Sequence, residues 1–169
     1  MSRPLLADAF AHHVWATLQL IDACLALDPE QLEATVPGTY GSILETMRHL
    51  VGADTSYLFV LTSGQVAVID EDHMDLRQLR DVMVGNGAAW SLLLAQDLDP
   101  DVVVVRRRDD GSESRAPMGI RLAQAVHHGS DHRSQVCTAL TTLGVEPPPI
   151  DAWDFGWDEG RLVEVPPAP

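Results

Sequence analysis

AVHHGSDHRSQV, residues 125–136, holds three histidines, an aspartate and an arginine in twelve positions. On a helix each residue turns by about 100°, so His128 and His132 fall only about 40° apart on one face. Arg121, Gln124 and Gln135 share their stripe, and Leu122, Ala125, Val126, Ala139, Leu140 and Leu143 border it. His127 turns about 100° away from His128 and faces elsewhere. The pattern predicts a helix from about Met118 to Leu143, stopped by Gly144 with prolines at 147–149. Two histidines at i and i+4 on one helical face can bind zinc. Chance produces such pairs as well, so a metal site requires a third ligand from elsewhere.

Further out, three more helices are predicted. The first runs from about Pro4 to Leu27, with Leu6, Ala9, Phe10, His13, Leu20 and Cys24 at helical spacing, followed by a polar loop to Gly41. The second opens at Ser42, whose S-I-L-E sequence lets Ser42 and Glu45 cap each other's end. It runs on to Ser63-Gly64. A third spans about Asp75 to Gln96, with a break or kink expected at Gly85-Asn86-Gly87. Between it and the last helix, Val102–Val105, Asp110-Gly111 and the segment to Pro117 read as a β-hairpin. The tail, IDAWDFGWDEG, is expected to fold back over the helices. The fold class is therefore all-α: an antiparallel four-helix bundle with a small β-hairpin before the last helix, one domain over residues 1–169. In such bundles metal sites form from side chains on facing helices.

Eleven basic against 25 acidic residues give a net charge of −14. That disfavours nucleic acid, whose backbone is bound by basic side chains, and anionic membrane surfaces. No apolar run reaches membrane-spanning length, and the start of the chain lacks a secretory signal, so a cytoplasmic location is expected. Cys24 and Cys137 read as small core residues rather than a disulfide or a catalytic thiol.

His49 lies on the second helix among Met47, Leu50 and Val51. It is the candidate third ligand, but a lone histidine there also suits a hydrogen-bonded core. His12 and His13 share that reading, and His73 falls in an acidic loop. Spacing permits a three-histidine site without establishing one.

The order of elements resembles the DinB/YfiT-like family of metal-binding four-helix bundles. The match runs from W-A-T (15–17), through G-S-I-L-E-T-M-R-H-L (41–50), to H-H-G-S-D-H-R-S-Q (127–135). The family's last motif looks like H-x-x-x-H-R-G-Q. Here it reads His128 to Gln135, with Ser134 in place of glycine, a change expected to affect helix packing more than ligation. The resemblance implies His49, His128 and His132 as joint ligands of a divalent ion, zinc or nickel. Gln135 and Asp131 become candidates to orient the rings, and Arg133 an interhelical salt-bridge partner facing away.

The resemblance also implies a transferase that conjugates a low-molecular-weight thiol, of the mycothiol or bacillithiol type, to an electrophilic small molecule. A metal-dependent hydrolase and a non-catalytic metal-binding stress protein are the alternatives. No catalytic base is identified, since the orientations of Asp54 and Glu45 are undetermined. The expected partners are the thiol and the electrophile, with a homodimer left open.

Overall fold

Polar caps set where most of the helices begin. The computed structural model describes residues 4–165 and 167. Ser42 opens α3 (Ile43–Leu61) as expected: its hydroxyl accepts the Glu45 N–H, and the Glu45 carboxylate accepts the Ser42 N–H. Asp75 with Gln78 caps α4 (Leu76–Leu94) in the same way. Asp28 with Gln31 caps a four-residue α2 (Pro29–Leu32), so the stretch read as a plain loop contains a helical turn. Asp151 with Asp154 caps α6 (Ala152–Asp158), a short helix within the tail. The remaining long helices are α1 (Ala7–Cys24) and α5 (Met118–Thr142). Pro4 precedes α1 instead of starting it, its carbonyl accepting the Ala7 N–H.

The expected break in α4 does not occur. The helix runs unbroken through Gly85-Asn86-Gly87, because a Cβ at position 87 would meet Val14 of α1 at 2.9 Å. Gly87 lets the two helices approach closely, and that packing offsets its propensity cost of about 1 kcal/mol.

The hairpin forms as predicted. β1 (Val103–Arg107) pairs antiparallel with β2 (Glu113–Pro117), with Val104 opposite Ala116 and Gly111 at φ 81° in the turn. Arg121 of α5 donates to the carbonyls of Val104 (3.0 Å) and Ser114 (2.9 Å), pinning both strands to that helix. At the far end of α5, Gly144 takes φ 75° and the Val145 N–H reaches back to the Leu140 carbonyl.

Among the four long helices, α1 and α3 each pack on both α4 and α5. Their core falls into two apolar clusters. One gathers Leu20, Ile21, Met47, Leu50, Leu79, Met83 and Leu140. The other gathers Phe10, Leu58, Trp90, Leu94 and Leu122. The tail does fold back: Phe155 is buried beside Trp15 and His12, and the His12 ring bonds the Ile150 carbonyl at 2.8 Å. Both cysteines are free thiols. Burial pushes the Cys24 thiol up to about 12, as suits a core residue. Among the described residues no helix is long and apolar enough to cross a membrane.

A polar layer separates the two clusters. Asp54 of α3 is buried and accepts from His13 Nε2 (3.0 Å), Asn86 Nδ2 (2.9 Å) and Trp90 Nε1 (3.0 Å). Arg133 Nη1 donates to His13 Nδ1 at 3.0 Å and to Thr17 Oγ1 at 3.2 Å. With Nδ1 accepting, the His13 ring proton sits on Nε2, where it is given to Asp54. Arg133 thus leaves the ligand stripe as expected, but the His13 ring stands between it and a carboxylate, so it forms no direct salt bridge. Burial pulls its guanidinium down to about 10, with Asp54 acting the other way. It keeps its charge at neutral pH. The two buried charges compensate each other through the imidazole.

Candidate metal centre

α5 carries His128 and His132 one turn apart, as the periodicity requires, and α3 packs alongside with His49 on the facing side. Each residue offers one ligand atom, and these atoms all lie within 4.8 Å of one another. His49 Nε2 and His128 Nε2 are 3.1 Å apart. Two nitrogens bound to one tetrahedral zinc, each at about 2.0–2.1 Å, lie about 3.3 Å apart. Small side-chain rotations would bring the third nitrogen to the same spacing.

The tautomer at His132 suits ligation. Its Nδ1 donates to Gln135 Oε1 at 3.1 Å, which leaves Nε2 with its lone pair free. Gln135 Oε1 also accepts the Tyr40 N–H at 2.9 Å, tying the loop before α3 to α5. Gln135 therefore fills the orienting role expected of it, whereas Asp131 is exposed and makes no hydrogen bond to a ligand ring. Tyr40 stacks on His49 at 4.1 Å with an interplanar angle of 9°, and stands edge-on to His132. Tyr57 stands edge-on to His128. His127 is exposed on another face. His12, His13 and His73 lie outside the cluster, the first two in the hydrogen bonds already described.

Burial, followed by the neighbouring His132 and His49, pushes His128 down to about 4. Burial and His132 lower His49 too, with Glu71 acting the other way. Both rings are neutral at pH 7, the state a metal requires. The shift also has a sign for stability. An unfolded chain protonates position 128 near pH 6.5, whereas the metal-free fold resists until about pH 4, so stability falls as pH drops through that window. Urea unfolding of the metal-free protein at pH 5 and pH 7 should show this slope reduced in His128→Gln, by about 1 kcal/mol after discounting for the half-exposed ring. An unchanged slope would place the penalty elsewhere.

Two ligand-sized cavities share His49 and Glu71 on their walls. One, of about 500 Å³, is lined by Tyr40, Glu45, Arg48, His49, Glu71 and Asp72. The other, of about 400 Å³, includes His49, Gly52, Tyr57, Glu71, Arg106 and His128. An apolar cavity of about 410 Å³ between α1, α4 and α6 shares no residue with either. Its single ionisable lining residue is Glu159, so it groups no reactive side chains.

Ser134, expected to bear on helix packing, is exposed. The close approach occurs at Gly129, where a Cβ would overlap the His13 ring. Sequence reasoning missed Tyr40, Tyr57 and Glu71, which no periodicity connects to the histidines. A family model described as the DinB family matches residues 1–162. No curated protein matches the chain.

Proposed function

This chain belongs to the DinB family, and from that premise we propose that it is a divalent-metal-dependent transferase joining a low-molecular-weight thiol to an electrophilic small molecule. The observation that carries the reading is the convergence of His49, His128 and His132 beside two ligand-sized cavities. Three imidazoles leave a coordination position open, the arrangement of catalytic rather than structural sites. Zinc and nickel both suit such ligands. On the same premise we read the four long helices as an antiparallel four-helix bundle of the DinB/YfiT-like type.

A divalent ion held there would supply the positive charge that favours a thiolate over a thiol. The chain's own residues do the rest. His49, His128 and His132 hold the centre, Gln135 keeps His132 in the ligating tautomer, and Tyr40 and Tyr57 cover the rings. In the reaction a sulfur–carbon bond forms, the bond to the leaving group breaks with its electron pair departing on that group, and the thiol proton passes to solvent. Asp54 and Glu45 are both engaged, one in the polar layer and one in the α3 cap, so neither is free to act as a base.

Glu71 is the carboxylate on the walls of both cavities. It favours a second reading, hydrolysis with Glu71 as base. With zinc or nickel bound, conjugation of a thiol panel to a haloaromatic or haloalkane is expected well above the uncatalysed rate, and chelation or His128→Ala should abolish it. Ester or amide hydrolysis without any conjugation, weakened in Glu71→Gln, would give the second reading precedence.

A further inference from the structure

All eleven cationic side chains of this chain are arginines, set against 25 acidic residues. Most described arginines are engaged: Arg80 with Asp22, Arg107 and Arg115 with Glu113, Arg161 with Asp8, Arg121 with the hairpin carbonyls. Arg48 and Arg108 each bond a neighbouring oxygen, and Arg133 sits in the polar layer. Among the described residues, Arg77 and Arg106 are the two whose guanidinium has no hydrogen-bond or ion-pair partner. Arg77 lies at the start of α4 and lines a cavity with Leu32 and Leu44 that includes no histidine. Arg106 lines the same 400 Å³ cavity as His49 and His128.

The hairpin explains that placement. Residues two apart on a strand share a face, so Arg106 shares the face of Val104, which is half-buried and packs on the apolar core. Arg121 holds the Val104 carbonyl, and β1 runs beside α3, the helix that carries His49. The strand is thereby anchored with its next inward side chain over the histidine cavity. Glu71, the acidic side chain on that wall, lies against Gly52, where a Cβ would collide with its carboxyl group. An unpaired guanidinium beside an open coordination position suits a ligand that offers the centre one atom and the arginine a carboxylate.

We propose that Arg106 is the specificity residue of this centre, taking the carboxylate of a thiol whose sulfur binds at the histidines. The proposal rests on the thiol reading above. Selectivity then comes from the hairpin, while the helices supply the ligating side chains.

The test uses the full chain loaded with cobalt(II), whose thiolate charge-transfer band reports sulfur binding without any turnover. Mercaptocarboxylates of increasing chain length are titrated against mercaptoalcohols of matching length. At one length or more the carboxylate should bind about tenfold more tightly than the alcohol, and added salt should shrink that ratio. Arg106→Gln should bring the ratio close to one, and Arg106→Lys should keep part of it. Arg107→Gln, on the opposite face of the strand and paired with Glu113, should leave the ratio unchanged. Equal binding of the two series to the wild type would overturn the proposal while leaving the thiol reading in place. An equal loss in Arg107→Gln would also overturn it, by assigning the effect to the general field of the hairpin. Absence of the band with every thiol, cobalt being bound, would overturn the thiol reading and this proposal together.

Discussion

Asp54→Ala is expected to destabilise the protein by about 3–5 kcal/mol, the cost typical of breaking a buried charge pair by removing one partner. The substitution leaves the Arg133 guanidinium uncompensated and strips an acceptor from His13, Asn86 and Trp90 at once. Such a loss is a large share of the roughly 5–15 kcal/mol that holds a domain together. Asp54→Asn should cost less, because one oxygen remains, although its amide then faces other donors. Arg133→Met should be destabilising for the mirror-image reason. Adding it to Asp54→Ala should cost less than the sum of the two single changes, since no lone charge is then left buried. Urea unfolding of the wild type and these four variants at pH 7 is the measurement. A loss under about 1 kcal/mol for Asp54→Ala, or strict additivity in the pair, would mean the two charges do not act through His13.

Loss of the ion is the second large effect. His128→Ala should abolish metal binding in the purified protein, whereas His127→Ala, exposed on another face, should keep close to one ion per chain. An ion held by the three histidines would join α3 to α5 across a sequence separation of 79 residues, that between His49 and His128. With free metal a hundredfold above its dissociation constant, binding to the folded state adds about 2.7 kcal/mol. For a domain of this size that corresponds to about 5–10 °C in melting temperature. Chelation should therefore lower the midpoint by that amount and leave a helical protein, because both apolar clusters persist without the ion. Acid should displace the metal as protons compete for the imidazoles. Calorimetry with and without chelator, alongside elemental analysis of the variants, decides the matter. Identical melting curves after verified metal removal would refute the bridge.

Much of this was legible in the chain, and the residues show why. Ser42-x-x-Glu45, Asp110-Gly111 and Gly144 act through bonds to their near neighbours, so local spelling revealed the α3 start, the hairpin and the end of α5. His128 and His132 fell on one face because a helix makes that a matter of counting. His49 required more, since nothing on α3 alone distinguishes a ligand from a core histidine, and the family resemblance supplied the link. The polar layer was not legible. Its members are spread over four helices, each within an otherwise apolar pattern, and only the packed helices bring them together. Gly87 misled for a related reason: local propensity favours a break there, while the decisive contact is with Val14 on another helix. Tyr40 and Glu71 lie outside the long helices, where no period points toward the site.

His132 and Arg133 are consecutive on α5, yet one meets the ligand cluster and the other is sealed in the polar layer. Neighbours on a helix stay about 100° apart, so the rotation that seats the guanidinium is the rotation that aims the imidazole. Two unequal dependencies follow. Losing any of the three candidate ligand histidines is expected to leave α5 in place, because the buried arginine holds the helix through His13 and Thr17. Without the arginine, the imidazoles lose the reference that aims them.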